Sequence, residues 1–186
     1  EFFEHLEDQL GGLPFVAENL GILSSAALEL QRDLPVAAMQ VLQFMNPPEP
    51  PGPLRIPLSR KEDFLYTGTH DNETLAGWSS SSTPERWLRM CLNSAADTVV
   101  VPLQDWLGLD NRARMNRPGT LEGNWGWKAD PAMLEPQVAA RIHSLCLESR
   151  RIPTGGYDEN SGFQKDREGS VHRGSGDYRN HEGSGI

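Results

Sequence analysis

Two carboxylates, Glu18 and Asp71, follow apolar segments of the sequence that are typical of short strands. A pair of carboxyl groups, one protonated and one ionised, can act as the acid and the charge stabiliser of an oxocarbenium-like transition state. The pattern therefore indicates acid/base or glycosyl-transfer chemistry. A Glu or Asp at a strand end is also a common N-cap of the next helix, so spacing alone leaves capping or solvation as the alternative.

His70 and Asn116 add groups that could hydrogen-bond a ligand, one beside Asp71 and one in a loop broken by Pro and Gly. An imidazole can donate to a sugar hydroxyl, although a polar turn closed by an Asx bond fits the residues THDN as well. Asn116 could equally bond its own backbone. Trp125 and Trp127 bracket a Gly in a polar stretch. Aromatic rings in such loops either stack on sugars or anchor packing, and both interpretations remain open.

The elements that must position these residues alternate between helices and short apolar strands. Strands are predicted in LPFVA, QVLQF, FLYTGT and VVVPLQ. Helices are predicted around them from a stop signal at Gly11-Gly12, N-caps at Ser24 and Thr83, and an apolar face with helical spacing from Leu134. This alternation predicts an α/β fold with a parallel sheet covered on its faces, in which functional residues gather at the carboxyl ends of the strands. The polar residues expected there are Glu18, Gln43, His70-Asp71 and Gln104-Asp105.

Six blocks of the sequence resemble, in order and roughly in spacing, the 4-α-glucanotransferases of the amylomaltase, or disproportionating enzyme, family: LPFVAENLG, VLQF, YTGTHDNET, VPLQDWLGL, ARMNRPGT and GNWGW. The resemblance covers about residues 1–150. It implies a (β/α)8 barrel and a retaining double displacement on α-1,4-glucans and maltooligosaccharides, in which a sugar 4-hydroxyl rather than water accepts the glucosyl group. It also implies that Glu18 is the general acid/base, that Asp71 is the third catalytic carboxylate, and that His70 and Asn116 bind substrate.

Two departures from the family pattern bear on activity. The family's nucleophile is an Asp in a motif similar to RIDHFRG, and no such motif occurs between Glu1 and Ile186. The connection between Gly77-Trp78 and VVVPLQD is also shorter than is usual in the family. A complete barrel needs about 250 residues, so residues 1–152 are predicted to be its C-terminal half, about four strand–helix units.

The missing nucleophile leads us to expect that this chain alone, as an incomplete fragment, has no transferase activity. Two alternative functions stay open. One is a catalytically inactive glucan-binding or interaction protein that retains half of the cleft. The other is a glycoside hydrolase of the wider α-amylase group, which would release glucose to water.

The composition argues against several other classes of function. The formal net charge of −9 disfavours a nucleic-acid partner. No apolar run approaches the roughly 20 residues that span a bilayer, so no membrane partner is expected. Dinucleotide, phosphate-loop, zinc-protease and serine-hydrolase motifs are absent, and Cys91 and Cys146 lack zinc-site spacing. We therefore predict neither a cofactor nor a metal, and two reduced thiols.

Residues 153–186 differ in composition from the rest, because they hold eight of the 18 glycines and only isolated apolar residues. Such a segment buries too little apolar surface to offset its ordering entropy, so a disordered tail is predicted. A partner-binding linear motif is the alternative. The expected compartment is the cytoplasm, with a plastid as the other option, and the oligomeric state is left open.

Overall fold

The computed structural model describes residues 1–18, 20–21, 23–45, 56, 58, 60–79, 82–152, 164–165 and 171–172, in two units, Glu1–Arg151 and Ile152–Ile186. The helices of the first unit are α1 (Phe2–Leu10), α2 (Ser25–Asp33), α3 (Leu75–Trp78), α4 (Pro84–Leu92), α5 (Leu103–Trp106) and α6 (Pro136–Glu148). Its strands are β1 (Val16–Ala17), β2 (Ala37–Val41), β3 (Phe64–Tyr66) and β4 (Thr98–Val100). Short 3-10 helices lie at Leu42–Phe44, Asn111–Ala113 and Pro131–Met133.

The four strands of the first unit form one parallel sheet in the order β1-β2-β3-β4. Ala17 is in register with Ala38, Gln40 with Leu65, and Leu65 with Val99. Each strand is followed by helical structure before the next begins, so all four carboxyl ends meet at one edge of the sheet. The predicted α/β fold with about four strand–helix units is confirmed.

Several strand bounds differ from the prediction. QVLQF was expected as a strand over residues 40–44, but β2 ends at Val41 and the chain turns into the 3-10 helix Leu42–Phe44. VVVPLQ was expected to continue to Gln104, but β4 ends at Val100 and α5 begins at Leu103. Pairing with β3 sets where β2 and β4 end, because β3 has only three residues that can pair with each of them.

The helix ends follow the predicted capping signals. The Ser24 hydroxyl accepts from the Ala27 N–H at 3.2 Å, at the start of α2. Thr83 caps α4 in the same way, with a proline in the first turn. Gly11 ends α1 in the left-handed conformation, at φ 70°, which glycine adopts without a steric penalty. These local signals place the helices correctly.

The buried core lies between the sheet and the helices that follow β3. Leu65 of β3, Leu75 of α3 and Leu88 of α4 are all fully buried within one apolar cluster. Five of the nine residues of α4 are buried, whereas α1 and α2 have no buried residue. The packing of the unit is therefore concentrated around β3 and α4.

Two side chains, those of Asp63 and Arg151, connect elements around the core by hydrogen bonds. The buried carboxylate of Asp63 accepts from the Ala38 N–H at 2.9 Å and from the Gln40 amide at 3.0 Å, joining β2 to the start of β3. Beyond α6, Arg151 donates from Nε to the Leu92 carbonyl at the end of α4, at 2.6 Å. Because a buried charge is costly without partners, these contacts fix the elements that they join.

The two cysteines are unpaired and differ in their surroundings. Cys91, on the buried face of α4, is fully buried, and burial raises the pKa of its thiol to about 12. Cys146 on α6 is half-buried, and burial raises its thiol pKa as well. Both groups are therefore protonated thiols at neutral pH.

In the unit Ile152–Ile186, the described residues include a short antiparallel pair, β5 (Gln164–Lys165) and β6 (Val171–His172). This pair was not expected from the isolated apolar residues of the segment. The predicted disorder of residues 153–186 otherwise falls outside the described residues and stays a prediction. No helix within the described ranges combines the length and apolarity needed to cross a membrane.

Candidate active site

The loop after β3 presents His70 and Asp71 at the carboxyl end of the sheet. Its turn is closed by Asn72, whose Oδ1 accepts from the Thr69 N–H at 2.8 Å and from the Thr69 hydroxyl at 2.7 Å. The polar turn that the sequence allowed is thus present, but the Asn72 bond runs back three residues instead of forward two as in an Asx turn. Its geometry holds His70 and Asp71 on the outside of the turn, where both side chains are partly exposed.

The carboxylate of Asp71 is the point where three of the predicted site residues meet. The side-chain amide of Asn116 donates to its Oδ1 at 2.5 Å, and Nε2 of His70 lies 3.3 Å from the same oxygen. The Asn116 N–H also donates to the His70 carbonyl at 3.0 Å. The structure therefore brings together residues that are 45 positions apart in the chain.

Arg114 holds these two segments in place, although the sequence did not single it out as a site residue. Its guanidinium donates to the Asp71 carbonyl at 2.6 Å and to the Asn116 carbonyl at 2.8 Å. It also lies 3.9 Å from the carboxylate of Glu73. A rigid planar donor fork suits such a clamp between two backbone segments. The only sequence signal for it is its place two residues before Asn116.

Asn111 fixes the far end of the same loop. Its amide donates to the Glu73 carboxylate at 2.9 Å, and its oxygen accepts from the Thr74 N–H at 3.2 Å. Gly77 makes this approach possible, because a Cβ at that position would lie 2.2 Å from the Asn111 side chain. A glycine is therefore required where α3 passes Asn111.

Two glutamines expected at strand ends serve as supports rather than as ligand-facing groups. Gln43 donates to the Glu73 carbonyl at 2.7 Å, from beneath the loop. Gln104 is buried and donates to the Ala113 carbonyl at 3.2 Å. Each side chain thus satisfies a backbone acceptor of a segment that carries the site.

Asp105, another strand-end candidate, is a buried anchor. One carboxylate oxygen accepts from the Thr67 hydroxyl at 2.6 Å and the other from the Leu75 N–H at 2.8 Å. Burial raises the pKa of this carboxyl, and the two hydrogen bonds oppose that rise. Asp105 therefore links the end of β3 to the start of α3 and frames the loop between them.

Glu18 lies at the end of β1 and lines a cavity of about 360 Å³ over the inner face of the sheet. The same cavity is lined by Met39, Tyr66 and Val100 and, at its rim, by His70. The Glu18 side chain is exposed. The structure thus brings Glu18 to the same cavity as His70, which lies 3.3 Å from the Asp71 carboxylate.

The tryptophans divide between packing and exposure. Trp78 and Trp87 contact each other with ring centroids 5.2 Å apart, and Trp87 belongs to the buried core. Trp125 instead lies 58% exposed, and its ring centroid is 5.0 Å from that of His70. Only Trp125 of these three therefore reaches the site.

This arrangement can bind polyhydroxylated ligands. A carboxylate has about four lone-pair positions, so the two contacts to Asp71 leave room for ligand hydroxyl groups. Exposed carboxylate, imidazole and amide groups beside an apolar cavity wall are typical of small-molecule sites. Among the residues that the structure describes, no group of three or more His, Cys, Asp or Glu side chains is placed to hold a metal ion.

A family model described as 4-alpha-glucanotransferase matches this chain in two blocks, residues 1–87 and 79–133. These blocks cover well over half of the 186 residues. The chain belongs to the 4-alpha-glucanotransferase family, glycoside hydrolase family 77. The matched blocks contain Glu18, His70, Asp71 and Asn116. They overlap just after Trp78, close to where a shortened connection is predicted.

Curated relatives support the same family. A 4-alpha-glucanotransferase of Synechocystis is 34% identical, over 82% of this chain and 34% of the relative. A 4-alpha-glucanotransferase of Thermus thermophilus is 31% identical, over 82% of this chain and 36% of the relative. A chloroplastic/amyloplastic 4-alpha-glucanotransferase of Oryza sativa is 32% identical, over 80% of this chain and 29% of the relative. The chain thus spans about a third of the length of the curated relatives that it matches.

The fold of this chain is similar to that of an amylomaltase from Streptococcus agalactiae, solved in complex with acarbose. The TM-score is 0.69 at 26% identity, over 80% of this chain and 34% of that one. The four-stranded parallel sheet and its helices are consistent with part of a TIM barrel, as the sequence predicts.

Proposed function

We propose that this chain supplies the acid/base half of a 4-α-glucanotransferase active site that acts on α-1,4-glucans. The observation that carries the proposal is the convergence of Asn116 and His70 on one oxygen of Asp71, beside the cavity that Glu18 lines. Glu18 follows β1 and Asp71 follows β3, with β2 between them, so both carboxylates lie at the carboxyl edge of the parallel sheet, where folds of this kind carry their catalytic groups.

In the proposed reaction, Glu18 protonates the glycosidic oxygen as the leaving sugar departs. It later removes the proton from the 4-hydroxyl of the acceptor sugar, so one carboxyl serves as acid and then as base. Asp71 accepts hydrogen bonds from hydroxyls of the sugar that carries the developing charge. His70 and Asn116 bind the same sugar and hold the Asp71 carboxylate in position.

We propose that the nucleophile of the retaining reaction is not among residues 1–186. A retaining enzyme needs a second carboxylate roughly 5–5.5 Å from its acid/base. The sequence contains no RxDH segment of the kind that the family resemblance calls for. We therefore propose that this chain by itself binds glucans without transferring them, in the manner of a glucan-binding protein.

The proposed ligands are maltooligosaccharides and related sugars. Relatives of the chain are named 4-alpha-glucanotransferase, and the similar amylomaltase was solved with acarbose. We propose the cytoplasm or a plastid as the compartment, since the rice relative is named as chloroplastic/amyloplastic.

Calorimetric titration of the chain with acarbose and maltoheptaose tests the binding part of this proposal. We expect binding by the wild-type chain and its loss in Asp71→Asn, which removes the carboxylate charge, and in Asn116→Ala, which removes the amide that donates to Asp71. Glu62→Gln, at an exposed position before β3, is the matched control and should bind normally. Failure of the wild-type chain to bind either sugar contradicts the proposal.

A chimera tests the catalytic part. Residues 1–151 of this chain replace the matching third of the Synechocystis relative, which supplies the remainder of the enzyme. Maltotriose disproportionation should occur in the chimera and be abolished by Glu18→Gln. The chain alone should be inactive, and turnover by the chain alone that Glu18→Gln abolishes would show that its nucleophile is internal.

A further inference from the structure

We propose that the indole of Trp125 is a sugar-binding platform that takes a second glucose ring of a glucan whose neighbouring ring is held by Asp71 and His70. The proposal rests on the function proposed above and extends its site by one ring. Trp125 lies in the loop that follows α5, with its ring next to that of His70.

The backbone of Trp125 has a conformation that a large side chain rarely adopts. Its φ is 59°, in the left-handed region that favours glycine. The Trp125 N–H donates to the Met115 carbonyl at 2.7 Å, next to Asn116. Strained backbone of this kind persists where surrounding contacts impose it, and it is concentrated at ligand-binding sites.

The loop that carries Trp125 is held by polar bonds rather than by burial. Asn124 accepts from the Arg117 N–H at 2.9 Å and donates to the Thr120 carbonyl at 3.1 Å. Leu121 at its tip is fully exposed. The loop therefore contributes little to the core, and its hydrogen bonds serve to place its aromatic residue.

The indole occupies a position suited to a ligand rather than to packing. It is 58% exposed, and its ring centroid lies 5.0 Å from that of His70 with the planes tilted by 37°. His70 in turn lies 3.3 Å from the Asp71 carboxylate. A flat apolar surface and a cluster of hydrogen-bonding groups thus adjoin each other.

Glucans match this pairing of surfaces. Each glucose ring has hydroxyl groups around its edge and an apolar face of C–H groups, so it can be held by polar groups or by an aromatic plane. In a chain of linked rings, one ring can occupy the polar cluster while the next lies on the indole. Trp125 should therefore matter for oligosaccharides and hardly at all for a single glucose.

A different role for Trp125 is to orient His70 by packing against it. That role predicts an equal loss of affinity for ligands of every length. The platform predicts a loss that grows when a second ring is present. Ligand length therefore separates the two roles in one set of titrations.

The experiment compares the wild-type chain with Trp125→Gly, Trp125→Phe and Leu121→Ala, titrated with glucose by NMR and with maltotetraose by calorimetry. Glycine accepts the φ of this position, so Trp125→Gly keeps the fold, as an unchanged melting temperature would verify. We expect Trp125→Gly to weaken maltotetraose binding about threefold to tenfold and glucose binding by less than about twofold. Trp125→Phe should lie between, and Leu121→Ala should match the wild type.

Three outcomes overturn the platform. Undiminished maltotetraose binding by Trp125→Gly would show that Trp125 is not a sugar platform, and it would leave the proposed function intact. An equal loss for glucose and maltotetraose assigns Trp125 to the positioning of His70. If the wild-type chain binds neither sugar, both the platform and the proposed function fail, which distinguishes that result from the other two.

Discussion

The two sides of the candidate site are built on different kinds of scaffold. Asp71 stands on a loop framed by the buried Asp105 and clamped by Arg114, above a core in which α4 alone buries five residues. Glu18 follows a two-residue strand at the edge of the described sheet, and the flanking helices α1 and α2 bury no residue. One side is held by packing, and the other by little more than backbone pairing.

This contrast teaches that two carboxylates of one site can differ in how firmly the fold holds them. Segments with few buried contacts open at a small free-energy cost, whereas the core opens only near the global free energy of unfolding. Large apolar side chains are exposed around β1, among them Phe2, Leu10, Phe15, Leu28 and Leu30. The position of Asp71 is therefore built into this chain, and that of Glu18 is only loosely determined by it.

The largest expected effect on the free energy of unfolding comes from a comparison of two leucine variants, one from each side of the site. Leu88→Ala removes a fully buried side chain of α4 and should lower the free energy of unfolding by about 2–5 kcal/mol. Leu28→Ala on α2, where the side chain is 45% exposed, should change it by less than about 0.5 kcal/mol. Urea denaturation followed by circular dichroism measures both.

Amide hydrogen exchange refines the same comparison. We expect amides of α1 and α2 to exchange well before those of β3 and α4. Similar losses in the two leucine variants, or equally slow exchange on both sides, would show that the Glu18 side is as firmly packed as the Asp71 side.

Substitution of Asp105, which frames the Asp71 loop, is expected to lower the free energy of unfolding by an intermediate amount. Asp105→Ala leaves the buried Leu75 N–H without its acceptor and should cost about 1–3 kcal/mol. Asp105→Asn should cost less, because its oxygen can still accept from Leu75 while its amide donates to the Thr67 hydroxyl. Melting temperatures of the wild type, Asp105→Asn and Asp105→Ala should decrease in that order.

The pH dependence of Asp105→Asn gives a second measurement. Burial raises the carboxyl pKa in the folded state, so its contribution to stability is complete below the ordinary value of about 4 and is lost as the pH rises through the raised value. The melting temperature of Asp105→Asn relative to wild type should therefore increase from pH 4 to pH 7. A constant difference would mean that Asp105 titrates normally.

The smallest expected effect on the melting temperature comes from the surface ion pairs on the Asp71 side of the site. Arg89 of α4 bonds Glu85 of the same helix and Glu148 of α6, and all three side chains are partly exposed. Exposed pairs contribute little and are screened by salt. Arg89→Ala should therefore lower the melting temperature far less than Leu88→Ala, and added NaCl should reduce that small difference. A loss comparable to Leu88→Ala would assign the stability of this side to charge rather than burial.

Local signals explain how much of the fold could be predicted from the sequence. Ser24, Thr83 and Gly11 act on groups within three or four residues, so the ends of the helices that they flank were correct. The end of β2 at Val41 depends on pairing with β3, more than twenty residues away, and the prediction placed that strand too late. Strand existence was predictable, whereas register and bounds required the neighbouring strand.

The candidate site divides in the same way. His70 and Asp71 are adjacent in the sequence, and the family resemblance pointed to Asn116. The roles of Arg114 and Asn111 escaped prediction, because each joins the 71–74 segment across roughly 40 residues through contacts that no spacing rule encodes. The supporting polar network had to be read from the structure, and the functions assigned to Glu18 and Asp71 remain predictions.

The different surroundings of the two thiols allow the opening of the core to be followed by the rate of cysteine labelling. An alkylating reagent should label Cys146 on the surface of α6 soon after mixing, whereas Cys91 is out of reach and protonated while the core is closed. Labelling of Cys91 therefore requires the core to open. Mass spectrometry of the doubly labelled species, followed over time, measures how readily the core opens without any mutation.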